Sequence, residues 1–251
     1  MKKIIFIIGC LALAACNTPI ATEPAIVQPT STEPAPTSTP EPATSTPTII
    51  PTPAATQTSA PPPLYFTDEF DTPSTHWQFL QTGGVDTPLQ SSFENSALHL
   101  STSMTEAWYA GIYTANTYSN VHVSAKVSWA PSGSVGLICR YDEKDGWIEF
   151  NLASDGVYSA LYGHWLAPGI AEYKPVGSTS SGTLHLDIFD YEIGLSCQDD
   201  FILLLVNGTS VRRMDVSRFE LGEGYVGVTT SSFGDAPMTA DFDWFKVSET
   251  E

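Results

Sequence analysis

Between residues 64 and 251 the chain has no stretch of a dozen residues with helical periodicity that lacks a breaker. A period of two recurs instead. "HVSAKVSWA" (122–130) and "GWIEFNL" (146–152) alternate apolar with polar residues, as a half-buried strand does. "FILLLV" (201–206) is apolar throughout, which suits a strand covered on both faces. Turn signals stand between such runs: "SGSVG", "DEKDG", "SDG", "NG" and "GEG". Many short strands punctuated in this way predict an all-β fold, a sandwich of two antiparallel sheets. Asn207-Gly208, although part of a glycosylation sequon, is expected to be the two-residue turn of a hairpin.

The strand pattern stops abruptly on its N-terminal side. Residues 17–63 are dominated by Pro, Thr, Ser and Ala, with no aromatic residue and no Lys or Arg. Such a segment can bury no core and is expected to be a disordered linker. At ~3.1 Å per residue in polyproline II it would reach about 150 Å. Before it, Lys2 and Lys3 precede an apolar run from Ile4 to Leu13, too short to span a bilayer as a helix but suited to a signal peptide. Leu13-Ala14-Ala15-Cys16 resembles the lipobox of bacterial lipoproteins. The resemblance implies cleavage before Cys16, lipid attachment to its thiol, and anchoring of the mature protein outside the cytoplasm. Acyl chains in combination hold a protein on a membrane stably, where one would not.

Charge narrows the partners. The chain has 28 acidic and 10 basic residues, and without Lys2 and Lys3 its net charge moves from −18 to about −20. No basic patch is left to neutralise phosphates, which excludes nucleic acid as a partner. Two cysteines, Cys139 and Cys197, lie in the 64–251 region. An exported chain can oxidise them, and a disulfide across this loop would stabilise by about 4 kcal/mol.

The order "FTDEFD", "SALHL", "VGLICRY", "GWIEFNLASDG", "LLLVNGT", "FELGEGYVGV" and "ADFDWFKV" resembles the concanavalin A-like lectin/glucanase superfamily. The nearest types are laminin-G-like and 3-keto-disaccharide hydrolase-like domains. The resemblance spans nearly all of 64–251 and implies a jelly-roll sandwich whose concave face meets carbohydrate. Some relatives hold a calcium between the first and last strands, near which Asp68, Asp71, Asp241 and Asp243 fall. No metal or cofactor is assigned on that ground. The five histidines lie apart, two of them in the strand-like settings Leu-His-Leu and Val-His-Val.

The candidate site is residues 136–152. Parity puts Ile148, Phe150 and Leu152 in the core, and Trp147, Glu149 and Asn151 on the opposite face. If Cys139 points inward, Arg140 shares that opposite face. Keeping core against core then requires paired numbers with an odd sum, so Arg140 faces Trp147 or Glu149. An indole that stacks on a pyranose, beside Arg, Glu and Asn that bond its hydroxyls, has the character of a sugar site. Trp108, Tyr162 and Trp165 are further candidates to extend it. Related glucanases carry Glu-x-Asp-x-x-Glu or Glu-x-Asp-x-Glu on one strand. Here Glu149 is followed by Asn151, which favours a non-catalytic carbohydrate-binding domain. A glycoside-cleaving enzyme with carboxyls on different strands is the first alternative, and a protein-interaction or spacer module the second.

Overall fold

The computed structural model describes residues 61–250, except 86, 131, 178–180, 185–189 and 235–236. The expected signal segment with Cys16, and all of the expected linker but residues 61–63, lie outside the described residues. The described chain is built from strands. In order they begin with β1 (Phe66–Asp68), β2 (Trp77–Gly83), β3 (Gln90–Glu94), β4 (Ala97–Thr102) and β5 (Ala107–Tyr118). Next come β6 (Val121–Trp129), β7 (Ser134–Asp142), β8 (Gly146–Ala153), β9 (Val157–Ala167) and β10 (Ile170–Pro175). The last are β11 (Ser181–Thr183), β12 (Asp190–Gln198), β13 (Phe201–Val206), β14 (Thr209–Asp215), β15 (Gly224–Ser232) and β16 (Met238–Ser248). A turn of 3-10 helix, Ser217–Phe219, links β14 to β15.

They form two antiparallel sheets. The back sheet runs β14-β13-β12-β6-β16-β4-β3, with β1 on β16; the front sheet runs β10-β9-β8-β7-β15-β5-β2, with β11 on β9. Alternation drives the layering. On β6, Val121, Val123, Ala125, Val127 and Trp129 are buried, while His122, Ser124, Lys126 and Ser128 point the other way. The front sheet answers with Val135, Leu137, Ile148, Phe150, Leu152, Val226 and Val228. Each such side chain stabilises the fold by about 1.5–3 kcal/mol through removal from water.

Cys139 on β7 and Cys197 on β12 are joined by a disulfide, with Cα atoms 6.7 Å apart. The expected bridge therefore ties one sheet to the other through the core, and does not link neighbours within a sheet. Asn207 and Gly208 both take positive φ, +48° and +69°, and close the β13–β14 hairpin as expected. The apolar run of β13 departs from expectation. Only Ile202, Leu204 and Val206 are buried; Phe201, Leu203 and Leu205 lie half-exposed on the outer face, where the Arg213 guanidinium sits 3.7 Å from the Phe201 ring centre. The back sheet has no further layer over it among the described residues, so this strand is covered on one side only.

The front sheet curls until its ends meet. The Tyr173 hydroxyl on β10 donates to Thr82 Oγ1 on β2 at 2.8 Å, although the two strands stand at opposite ends of the strand order. Inside the curl, on the side away from the sandwich core, is a second apolar cluster. Ala110, Ile112, Ile138, Tyr141 and Trp147 are buried there, with Leu80, Trp165 and Tyr173 packed against them.

Candidate functional site

On β8 the parity holds: Ile148, Phe150 and Leu152 join the core, and Trp147, Glu149 and Asn151 look into the curl. The β7–β8 register also holds up to Ile138↔Glu149 and Cys139↔Ile148, both odd sums. It then breaks, and the next pair is Asp142↔Gly146. Arg140 sits in this bulge at φ +54°, a backbone that a bulge imposes and a regular strand does not. Its Nε donates to the Ser119 carbonyl at 3.0 Å, and Asp199 and Asp200 are its charged neighbours. Arg140 therefore does not stand beside Trp147 or Glu149. The same bulge turns Tyr141, which strict alternation from Cys139 would point inward, onto the Trp147 face.

Trp147 is on the expected face but is 0% exposed. The rings of Tyr141, Trp165 and Tyr173 surround it, with centroids 5.4, 5.4 and 5.9 Å away. Gly163, its partner on β9, makes the room: a Cβ there would overlap the indole. The indole faces are spent on packing, so no sugar stacks on Trp147 in this arrangement. Its Nε1 donates to Glu149 Oε2 at 3.0 Å.

Glu149 is itself 2% exposed. Oε1 accepts from Asn151 Nδ2 at 2.7 Å and from Thr229 Oγ1 at 3.3 Å. Burial pushes its carboxyl above the ordinary carboxylate range, while hydrogen bonds from Trp147, Asn151 and Thr229 pull it partly back. Burial likewise drives the Tyr173 hydroxyl upward, so it stays a donor.

Beside this carboxyl is a cavity of about 430 Å³. Glu149, Ser134 and Ser231 form its bottom, the two serine hydroxyls 2.6 Å apart. Half-buried Trp108, Asn151, Ser159 and Tyr173 form its sides, and exposed Asp155, Val157 and Phe233 its rim. Asp155 Oδ1 accepts from the Val157 amide at 2.9 Å and so fixes the rim turn. A second cavity, of about 880 Å³, lies between Tyr141, Trp165, the edge strand β2 and the β9–β10 hairpin tip.

The seven candidates thus separate. Trp108, Glu149 and Asn151 converge on the first cavity, which is polar at its floor but mostly apolar in its accessible lining. Trp165 lines the other cavity, its Nε1 donating to the Tyr141 hydroxyl at 3.2 Å. Trp147 fills the wall between. Tyr162 is on the opposite face of β9, stacked on Phe219 at 4.4 Å, with its hydroxyl on the Asp145 carbonyl. Asp142, Glu143 and Asp145 form the expected exposed turn. Sequence reasoning missed Thr229, Ser231, Ser134 and Tyr173. "VTTSS" (228–232) held a signal for two of them, since its alternate hydroxyls must share a face.

The aspartates near the chain ends serve separate partners. Asp68 accepts from Trp77 Nε1 at 2.9 Å, Asp71 from the Ser96 hydroxyl at 2.6 Å, and Asp241 pairs with His99 at 2.5 Å, raising the His99 pKa. Among the described residues, no three His, Cys, Asp or Glu side chains are grouped to hold a metal ion.

No protein-family model matches the chain, and no curated protein matches it. Solved structures do match. A prokaryotic β-1,3-1,4-glucanase (lichenase) derived from a mouse hindgut metagenome gives a TM-score of 0.53 at 14% identity, over 74% of this chain and 99% of that one. A glycoside hydrolase family 16 endo-glucanase from Bacteroides ovatus gives 0.51 at 9%, over 73% and 99%. A Bacillus subtilis protein with a galectin-like fold gives 0.50 at 15%, over 73% and 94%. At these identities the likeness is one of fold. The domain has the concanavalin A-like jelly-roll architecture.

Proposed function

We propose that the chain is an extracytoplasmic lipoprotein, anchored through Cys16, whose jelly-roll domain binds carbohydrate in the first cavity without cleaving it. The cavity carries this reading. It combines an indole side wall, an amide, several hydroxyls and a buried carboxyl, the mixture that holds a sugar ring by its C–H face and its hydroxyls. The solved structures of like fold include glucanases, which act on glycans. For the anchor, the support is Leu13-Ala14-Ala15-Cys16 and a disulfide that fits an oxidising compartment.

The test is glycan-array binding of the full chain in mild detergent, with Trp108→Ala and Asn151→Ala alongside. Binding that both substitutions weaken supports the reading. Binding to no glycan sinks it and favours a protein partner or a spacer. For the anchor, Cys16→Ser should move the protein from the membrane fraction to the soluble one.

One observation favours glycoside cleavage as a second reading. Glu149 lines the cavity with its carboxyl held above the ordinary range, as a proton donor would be. Against it, both Glu149 oxygens are occupied by protein donors, and Asn151 stands two residues on, where a second carboxyl would be needed on the same strand. Release of reducing sugar from the winning glycan, abolished by Glu149→Gln, would establish the second reading over the first.

A further inference from the structure

The first cavity ends against a wall. The bond between the Tyr173 hydroxyl and Thr82 Oγ1 joins the two ends of the front sheet, and both partners are tucked in, Thr82 at 1% exposure. Behind that bond Trp147 fills the curl, with Tyr173 edge-on to it and Trp165 on its far side. The second cavity, which Trp165 and Tyr141 line, shares no lining residue with the first. Exposure along the first cavity runs one way. Along β8, Trp147 and Glu149 are 0% and 2% exposed, Asn151 is half-buried, and Asp155 just past the strand is open to water, as are Val157 and Phe233 at the same end.

A sugar unit inside a polymer continues in two directions, so its site needs two exits. A terminal unit continues in one. Resting on the carbohydrate-binding reading, we infer that this cavity receives the end of a glycan chain and rejects internal stretches. Tyr173 is the specificity-determining residue, because its hydroxyl fastens β10 over the curl and Trp147 alone would not cross from one edge strand to the other. At about 430 Å³ the cavity is near the small end of ligand sites, which suits a short terminal segment.

The experiment counts ends. Starch, laminarin, xylan, mannan and fructan are each presented to the full chain whole and as size-fractionated acid-hydrolysis fragments, at equal mass of sugar. End recognition makes apparent affinity per unit mass rise with the number of ends, roughly tenfold for each tenfold shortening. Affinity per mass that stays level or falls as the chains shorten overturns end recognition while leaving carbohydrate binding intact. No retention of any polymer or fragment overturns both. Tyr173→Phe keeps the ring and removes the hydroxyl from Thr82, so its preference for fragments over polymer should shrink. A lowered melting temperature with the preference unchanged would show that Tyr173 is merely structural and overturn its assigned role.

Discussion

The two halves of the curled face are made from the same strands and behave in opposite ways. β7 contributes Ile138 to one half and Ser134 to the other; β8 contributes Trp147 and Asn151; β5 contributes Ile112 and Trp108; β15 contributes Tyr225 and Ser231. In the first half these side chains, capped by Trp165 and Tyr173, leave a dry plug. In the second, hydroxyls, the Glu149 and Asp155 carboxyls and several apolar side chains line a cavity. Backbone architecture is common to both, so it does not decide where a ligand can sit. Side-chain volume does, together with its counterpart, the glycines that yield to it. Gly163 lies flat under Trp147, and Gly136 lies where a Cβ would come within 2.8 Å of both Asn151 Oδ1 and Thr229 Cγ2. One glycine lets the plug fill its half, and the other lets the Glu149 network close up in its half.

The contrast can be broken most forcefully at the plug. Trp147→Ala should cost about 3–5 kcal/mol, because the residue is enclosed and its neighbours are held by their own strands. A guanidinium midpoint that moves at unchanged slope measures it, and a loss under about 1 kcal/mol would mean the plug is not close-packed. Gly163→Ala attacks the same packing from beneath and should cost about 1–3 kcal/mol, read in the same titration. In the cavity half the effect should move from stability to binding. Trp108→Ala should shift stability by less than about 1 kcal/mol, yet weaken sugar binding about tenfold in calorimetry, a change of about 1.4 kcal/mol.

Glu149→Gln should give the smallest effect at any one pH and the most diagnostic trend. The carboxyl is held above its ordinary range, so the folded protein favours its protonated form more than the unfolded chain does. That contribution is complete at acid pH, below the ordinary carboxylate range, and is lost as pH climbs through the raised value. Gln does not ionise and loses nothing there. The variant should gain on the wild type as pH rises, in melting temperatures taken from acid to neutral buffer. A difference independent of pH would place Glu149 in an environment that does not resist its charge.

Much of the fold was legible because burial on one face imposes a period of two. β6 and β8 obey it residue by residue, and the odd-sum register of β7 with β8 followed from it alone. Asn207-Gly208 was legible for a local reason, the positive φ that both turn positions require. Arg140 was not, because the bulge that redirects it leaves the composition of the strand unchanged and shifts only its phase. β13 misled for a different reason: three outward apolar residues look the same in sequence whether another layer or only an Arg213 side chain covers them. The site was half legible. Glu149 and Asn151 came from parity within one strand, but the burial of Trp147 and the role of Tyr173 depend on β10 meeting β2. That contact, between residues 82 and 173, is set by how far the sheet curls, and no periodicity encodes it.

The bridge between Cys139 and Cys197 has a mechanical consequence for a domain pulled from its N-terminal side. Tension applied at residue 61 reaches the fold where Asn116 and Tyr118 grip the Pro63 and Leu64 carbonyls, and then the short β1, zipped to β16 of the back sheet. Asn116 and Tyr118 stand on β5 of the front sheet, so the load is split between the two sheets, and any imbalance shears one over the other across an oily layer that resists sliding poorly. The disulfide gives it a covalent crossing, one residue before the bulge and one strand from Glu149. With the bond intact the two layers move as one body under drag. Once it is reduced, one sheet can slip over the other before the domain unfolds.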